Sequence, residues 1–147
     1  MTRDEFWAMI GLLRRDHIDV DFEDDDSDPV TSPLIEALSR LPEAEIRSFD
    51  DHMCELLYDL DGSRWALAAG VCGDFDDLFL YCRCVAVGSG REVYDAIRAE
   101  PSLMPEGMEF ERLLAVPGRA FRQKTKRDYD YVPPFDLERG ANRAQWE

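Results

Sequence analysis

Lysine and histidine are nearly missing from this chain. Of 147 residues, only Lys124 and Lys126 are lysine and only His17 and His52 are histidine. The remaining cations are arginine, a compositional habit to which no mechanism is attached. With two histidines, one of them inside an acidic segment, most hydrolytic schemes have no evident base, and no serine, histidine and acid constellation stands out. His52, between Asp51 and Met53, reads as a surface histidine before it reads as a general base. Cysteine is also sparse. Cys54, Cys72, Cys82 and Cys84 sit in hydrophobic company without a secretion signal, so they read as reduced, buried thiols. No apolar run approaches the ~20 residues of a membrane span. The opening MTRDEFWAMIGLLRRD sets acids beside its apolar positions, unlike a signal peptide. A cytoplasmic protein is expected, with no membrane segment.

Positive charge is what the chain lacks most. Thirty-two acidic residues face 17 basic ones, for a net charge of -15. Nucleic acid is excluded as a partner, because such binding rests on cationic neutralisation of phosphates. An anionic membrane is excluded on the same ground. A basic protein would be attracted and its approach steered. Solubility alone accounts for the same excess.

What is present is enough hydrophobic material, 45%, for one domain over residues 1–147. The pattern predicts an all-α protein. A first helix is expected over Arg3–Arg15, with Thr2 and Glu5 as a capping box and Phe6, Trp7, Ile10 and Leu13 on one face. Residues 16–30, DHIDVDFEDDDSDPV, hold eight acids and no lysine or arginine, which predicts an exposed, mobile loop. Ile18, Val20 and Phe22 alternate there, as a short extended piece would. Ser32-Pro33 opens a helix with Leu34, Ala37, Leu38 and Leu41 inward. The next helix follows Pro42 and carries Ile46, Phe49, Met53, Leu56, Leu57 and Leu60 as one stripe. Asp61-Gly62 makes a turn, and a fourth helix runs over Trp65, Ala66, Ala68, Ala69 and Val71. A fifth runs from Asp74 through Val87, and Ser89 with Glu92 forms a second capping box before a sixth. Helical character continues over Phe110, Leu113 and Leu114 until Pro117-Gly118. Residues 128–147 read as an irregular tail.

The stretch most suggestive of chemistry is CGDFDDLFLYCRC, Cys72 to Cys84. Asp74 is placed to cap the following helix, and Asp76 and Asp77 fall in its first turn, where negative charge is favoured. Arg83 lies two turns beyond Asp76 and calls for a carboxylate partner, Asp76 or an acid from another helix. A divalent ion would need a second acidic cluster that the sequence does not supply. Cys82 and Cys84 project some 200° apart on a helix, C-x₉-C-x-C is not a zinc spacing, and both histidines stand elsewhere. No metal and no cofactor are therefore expected. Asp24, Asp26 and Asp28 imitate the first ligands of a calcium loop, but Pro29 and Ile35 stand where glycine and glutamate belong. Gly88-Ser89-Gly90-Arg91 reads as a capped interhelical turn rather than a phosphate loop. The basic patch Arg119, Arg122, Lys124, Lys126 and Arg127 is expected to dock on the acidic loop, or on an acidic partner.

Several of these blocks resemble an uncharacterised bacterial, mainly actinobacterial, family, DUF4240. They are Phe6-Trp7, Leu41-Pro42-Glu43-Ala44-Glu45-Ile46 with Phe49, Trp65-Ala66-Leu67-Ala68-Ala69, Cys72 to Arg83, and Gly90-Arg91-Glu92-Val93-Tyr94. Together they cover roughly residues 4–105. The resemblance implies a compact helical domain and nothing catalytic. The family's run of Gly-Gly-Cys-Ser-Asp-Asp, an aromatic, Phe-Arg and a tryptophan is shifted here, and Cys84 occupies the tryptophan's place. Asp76, Asp77, Arg83 and Arg91 match it best.

Two functions follow as expectations. The first is a non-catalytic interaction or regulatory domain for a basic partner, with Asp24, Asp25, Asp26 and Asp28 on its interaction surface. The alternative is a pocket for a small anionic or metal-bound ligand, lined by Asp74, Asp76, Asp77, Arg83 and Arg91.

Overall fold

Thr2 sets where the first helix begins. Its hydroxyl oxygen accepts from the Glu5 amide at 3.1 Å, while the Glu5 carboxylate accepts from the Thr2 amide at 2.7 Å. That backbone bond holds the Glu5 carboxyl below its ordinary range. In the computed structural model of the protein, residues 1–17 and 28–147 are described. Among them run α1 (Arg3–Ile10), α2 (Ser32–Ser39), α3 (Glu43–Asp59), α4 (Ser63–Ala68), α5 (Asp76–Gly88), α6 (Arg91–Ala99) and α7 (Val116–Thr125), with short 3₁₀ segments and no strand. The protein is all-α. The expected mobile loop over 16–30 and the extended piece at Ile18, Val20 and Phe22 fall mostly or wholly outside the described residues.

The described chain groups into two compact units. The first comprises Met1–His52 and Arg112–Pro133, the second Met53–Glu111 and Pro134–Glu147. In the first, Phe6, Ile10, Leu34, Leu38, Ile46, Phe49, Val116 and Phe121 are buried, with the Phe6 and Phe49 rings 4.9 Å apart. α1 stops at Ile10 rather than Arg15. After Gly11 the amides of Leu12 and Leu13 tighten onto carbonyls three residues back, and the Arg14 amide is taken by the Val30 carbonyl at 3.0 Å. Pro117 does not end a helix but sits in the first turn of α7, where its missing N–H costs nothing. α7 packs on α2, and the Gln123 amide donates to Ser39 Oγ at 3.2 Å.

In the second unit the apolar stripe of α3 continues inward through Met53, Leu56, Leu57 and Leu60. Trp65 of α4 is buried and donates from Nε1 to the Ile97 carbonyl at 2.9 Å. Tyr94 of α6 donates to the Leu56 carbonyl at 2.7 Å. Between α4 and α5 a 3₁₀ segment, Gly70–Asp74, presses so closely on α4 that a Cβ on Gly73 would stand 1.8 Å from the Ala66 carbonyl oxygen. Only glycine fits there.

Candidate functional site

Asp74, Asp76 and Asp77 are all exposed at the start of α5. Asp76 and Asp77 occupy its first turn, as the sequence predicts, but Asp74 does not cap it. The capping position is Phe75, whose extended backbone (φ -115°, ψ 135°) turns the chain and whose side chain makes no capping hydrogen bond. Asp74 instead closes the preceding 3₁₀ segment. The second predicted capping box also fails. Gly90, at φ 98°, takes the capping position of α6, and the Ser89 hydroxyl donates back to the Val85 carbonyl at 2.6 Å. Arg91 is exposed on the first turn of α6 and lies 3.8 Å from Asp95.

Arg83 departs furthest from expectation. It is 0% exposed, and no carboxylate ion-pairs with it among the described residues. Its guanidinium donates to the Leu57 carbonyl and the Leu137 carbonyl, each at 2.9 Å, and lies over the Phe79 ring at 4.7 Å. Nε has no hydrogen-bond partner among the described residues. Burial lowers the guanidinium's pKa, opposed by the negative charge of Asp61. Arg83 therefore ties α5 to α3 and to the tail. A pocket that used it as its cation would require the side chain to leave both carbonyls.

Asp61, which the sequence offers only as a turn residue, anchors that tail. Fully buried, it accepts from the Gly140 amide at 3.0 Å, the Asn142 amide at 2.9 Å and Trp146 Nε1 at 2.9 Å. Arg139 Nε donates to the Gly73 carbonyl at 2.8 Å, and its guanidinium covers the Trp146 ring at 4.4 Å. The tail thus forms one wall of a cleft of about 330 Å³ lined by Asp76, Asp77, Leu80, Asp136, Glu138 and Arg139. The cleft is acidic on both sides. Nothing in the spacing of Asp61 or Arg139 could have signalled these contacts, because their partners are mostly backbone groups and lie up to 85 residues away in sequence.

In the first unit, Asp28 is not part of an exposed acidic surface. It is 1% exposed, accepting from the Val30 amide, the Thr31 hydroxyl and Arg112, the last at 2.9 Å. Asp24, Asp25 and Asp26 lie outside the described residues. The acidic loop on which the basic patch is predicted to dock lies mostly outside the described residues. Arg127 pairs with Glu43 at 2.7 Å and Arg122 with Asp128 at 3.1 Å. Arg119, Arg122 and Lys126 line an open groove of about 1200 Å³ together with Glu36 and Asp128, so its charge is mixed. Tyr129 and Tyr131 donate to Asp50 and Asp51 at 2.8 and 2.7 Å. The bond to Asp51, with some burial, pushes the Tyr131 hydroxyl up to about 12.

His52, Cys82 and Cys84 are engaged in structural contacts. His52 Nε2 lies 2.9 Å from the Met1 carbonyl and its ring packs on Phe6. Burial pushes the Cys82 and Cys84 thiols up to about 12, and Cys82 Sγ donates to the Pro105 carbonyl. Among the described residues no three His, Cys, Asp or Glu side chains converge so as to hold a metal ion. None of their helices is long and apolar enough to cross a membrane.

The polar features thus resolve into an all-α protein with Asp74, Asp76 and Asp77 exposed and the deeply buried Arg83 used as a structural tie. The chain belongs to DUF4240, described as a protein of unknown function, which matches residues 1–123. The match reaches past the blocks at 4–105 and ends before the tail that Asp61 anchors. No curated protein and no solved structure matches the chain.

Proposed function

We propose that this is a non-catalytic cytoplasmic interaction domain that binds a basic protein partner. The observation that carries the reading is how unevenly charge is distributed. The second unit holds fifteen acidic residues against six basic ones, an excess of nine negative charges. Two of those six cations face inward: Arg83 is buried and Arg139 lies against Gly73 and Trp146. Asp61 is buried as well, so the excess of nine negative charges is carried by the rest of the unit. In the first unit, the described residues carry eleven acids and eleven bases, and several pair with one another. A unit with so strong an excess of one sign favours steering of an oppositely charged protein over solubility alone. The engagement of His52, Cys82 and Cys84 in structural contacts supports the non-catalytic part of the reading.

The test is affinity capture of native lysate from the source organism on the immobilised protein, read by mass spectrometry. A basic protein recovered in near-stoichiometric amount is the expected result. Recovery of no basic protein at low salt overturns the proposal.

A further inference from the structure

Six of the eight large hydrophobic side chains that stay exposed among the described residues belong to the second unit. Three of them follow one another at steps of four: Leu67 at 84% exposed, Val71 at 71% and Phe75 at 54%. They are not slack. Trp65, Ala66, Ala69, Cys72 and Gly73, interleaved with them, are all buried, so the backbone's inward face is fixed and these three side chains are left outside. Gly73 is seated against the Ala66 carbonyl, and Arg139 holds the Gly73 carbonyl from the tail. Asp74, Asp76 and Asp77 stand exposed in the same stretch, and Asp136 and Glu138 are exposed on the opposite wall of the adjoining cleft. Arg64, the nearest cation in sequence, stacks on the Trp65 ring at 5.5 Å.

We propose that this ridge, from Leu67 through Phe75 to the start of α5, is the docking surface for the partner, and that what docks is an amphipathic basic segment. Its apolar side chains cover Leu67, Val71 and Phe75, and its lysines or arginines meet Asp74, Asp76, Asp77, Asp136 and Glu138. The inference rests on the reading that the partner is basic and adds where and through which chemistry it binds. Charge complementarity selects the occupant. A second copy of this chain would bring the same five carboxylates face to face, and an acidic or nucleic-acid partner would meet the same repulsion. Apolar side chains beside a group of carboxylates suit a one-sided helical ligand, with apolar anchors for affinity and the charges for orientation.

The experiment uses the full chain and two synthetic peptides of equal length and charge. One places leucine and lysine at amphipathic helical spacing; the other replaces every leucine by serine. Binding is followed by fluorescence anisotropy, and association state by sedimentation. The leucine–lysine peptide is expected to bind the wild type at least about tenfold more tightly than the serine–lysine peptide. Leu67→Ser/Val71→Ser/Phe75→Ser is expected to abolish that difference with its helical content retained, whereas Leu12→Ser/Val132→Ser in the first unit leaves it intact. Asp76→Asn/Asp77→Asn is expected to weaken both peptides. An advantage for the leucine peptide that survives the triple substitution overturns the ridge as the site while leaving the basic-partner reading standing. Failure of both peptides to bind overturns both. A wild-type dimer that Phe75→Ser dissolves means that a second copy covers the ridge, and it too overturns the proposal.

Discussion

At the scale of single residues, two buried groups make the account testable. Arg83 bridges the carbonyls of Leu57 and Leu137 with no direct ion pair among the described residues, so its removal orphans two acceptors and opens a large cavity. Arg83→Ala is expected to lower unfolding free energy in urea by about 3 to 5 kcal/mol. Arg83→Met fills the space and removes the cost of a buried charge, so it should lose less than half as much. Equal losses would contradict the bridging role. The sequence announces that Arg83 is special, since an arginine among Phe79, Leu80, Cys82 and Cys84 must be held by something. It does not name the partners, because seven residues along a helix set Asp76 ~10 Å away along the axis and backbone carbonyls leave no mark in a sequence. Cys82 and Cys84 give the second test. Folded, they keep their protons up to about 12, against 9.0 for an ordinary thiol. From pH 9 upward the unfolded state therefore binds fewer protons than the native state. Stability is fully present below pH 9 and falls between 9 and 12, by up to about 1.4 kcal/mol per pH unit for each thiol. Cys82→Ala/Cys84→Ala should flatten the stability–pH curve in that window; an unchanged slope would refute the assignment.

At the scale of elements, what could be read depended on whether the signal was periodic. The stripe of α3 from Ile46 to Leu60 is buried at every predicted position, because 3.6-residue periodicity directly encodes a buried face. Helix ends were less legible. Thr2 and Glu5 cap α1 as predicted, whereas Ser89 with Glu92 carries the same signature and fails, since Gly90 takes the capping position at a φ that only glycine adopts easily. In the sequence Pro117 looks like a stop; in the fold it is a start. The tail was legible as irregular but not as anchored. Asp61 is its anchor, so Asp61→Asn, which keeps the shape but offers one acceptor oxygen for three donors, should cost about 2 to 4 kcal/mol. It should also open the segment after Pro134 to limited proteolysis. A tail that stays protected in this variant would mean that Arg83, Arg139 and Trp146 suffice to hold it.

At the scale of the whole molecule, the net charge of -15 was plain in the composition, but its placement was not. The sequence draws the eye to the acidic run at 16–30. Among the described residues the first unit balances its charges, Asp28 is buried, and the acidic excess lies in the second unit. The exposed trio Leu67, Val71 and Phe75 escaped sequence reading for a related reason. Hydrophobic residues are assigned inward by default, and only the packing of Trp65, Ala66, Ala69 and Cys72 shows which side remained for the others. The most direct measurement is the affinity between the protein and whatever basic partner capture recovers, taken across ionic strength from about 0.05 to 0.5 M, where the Debye length shrinks severalfold. The account predicts 1:1 binding that weakens steadily with salt, and a shallower salt dependence in Asp74→Asn/Asp76→Asn/Asp77→Asn. Affinity that does not respond to salt, or that is identical in the variant, would contradict it.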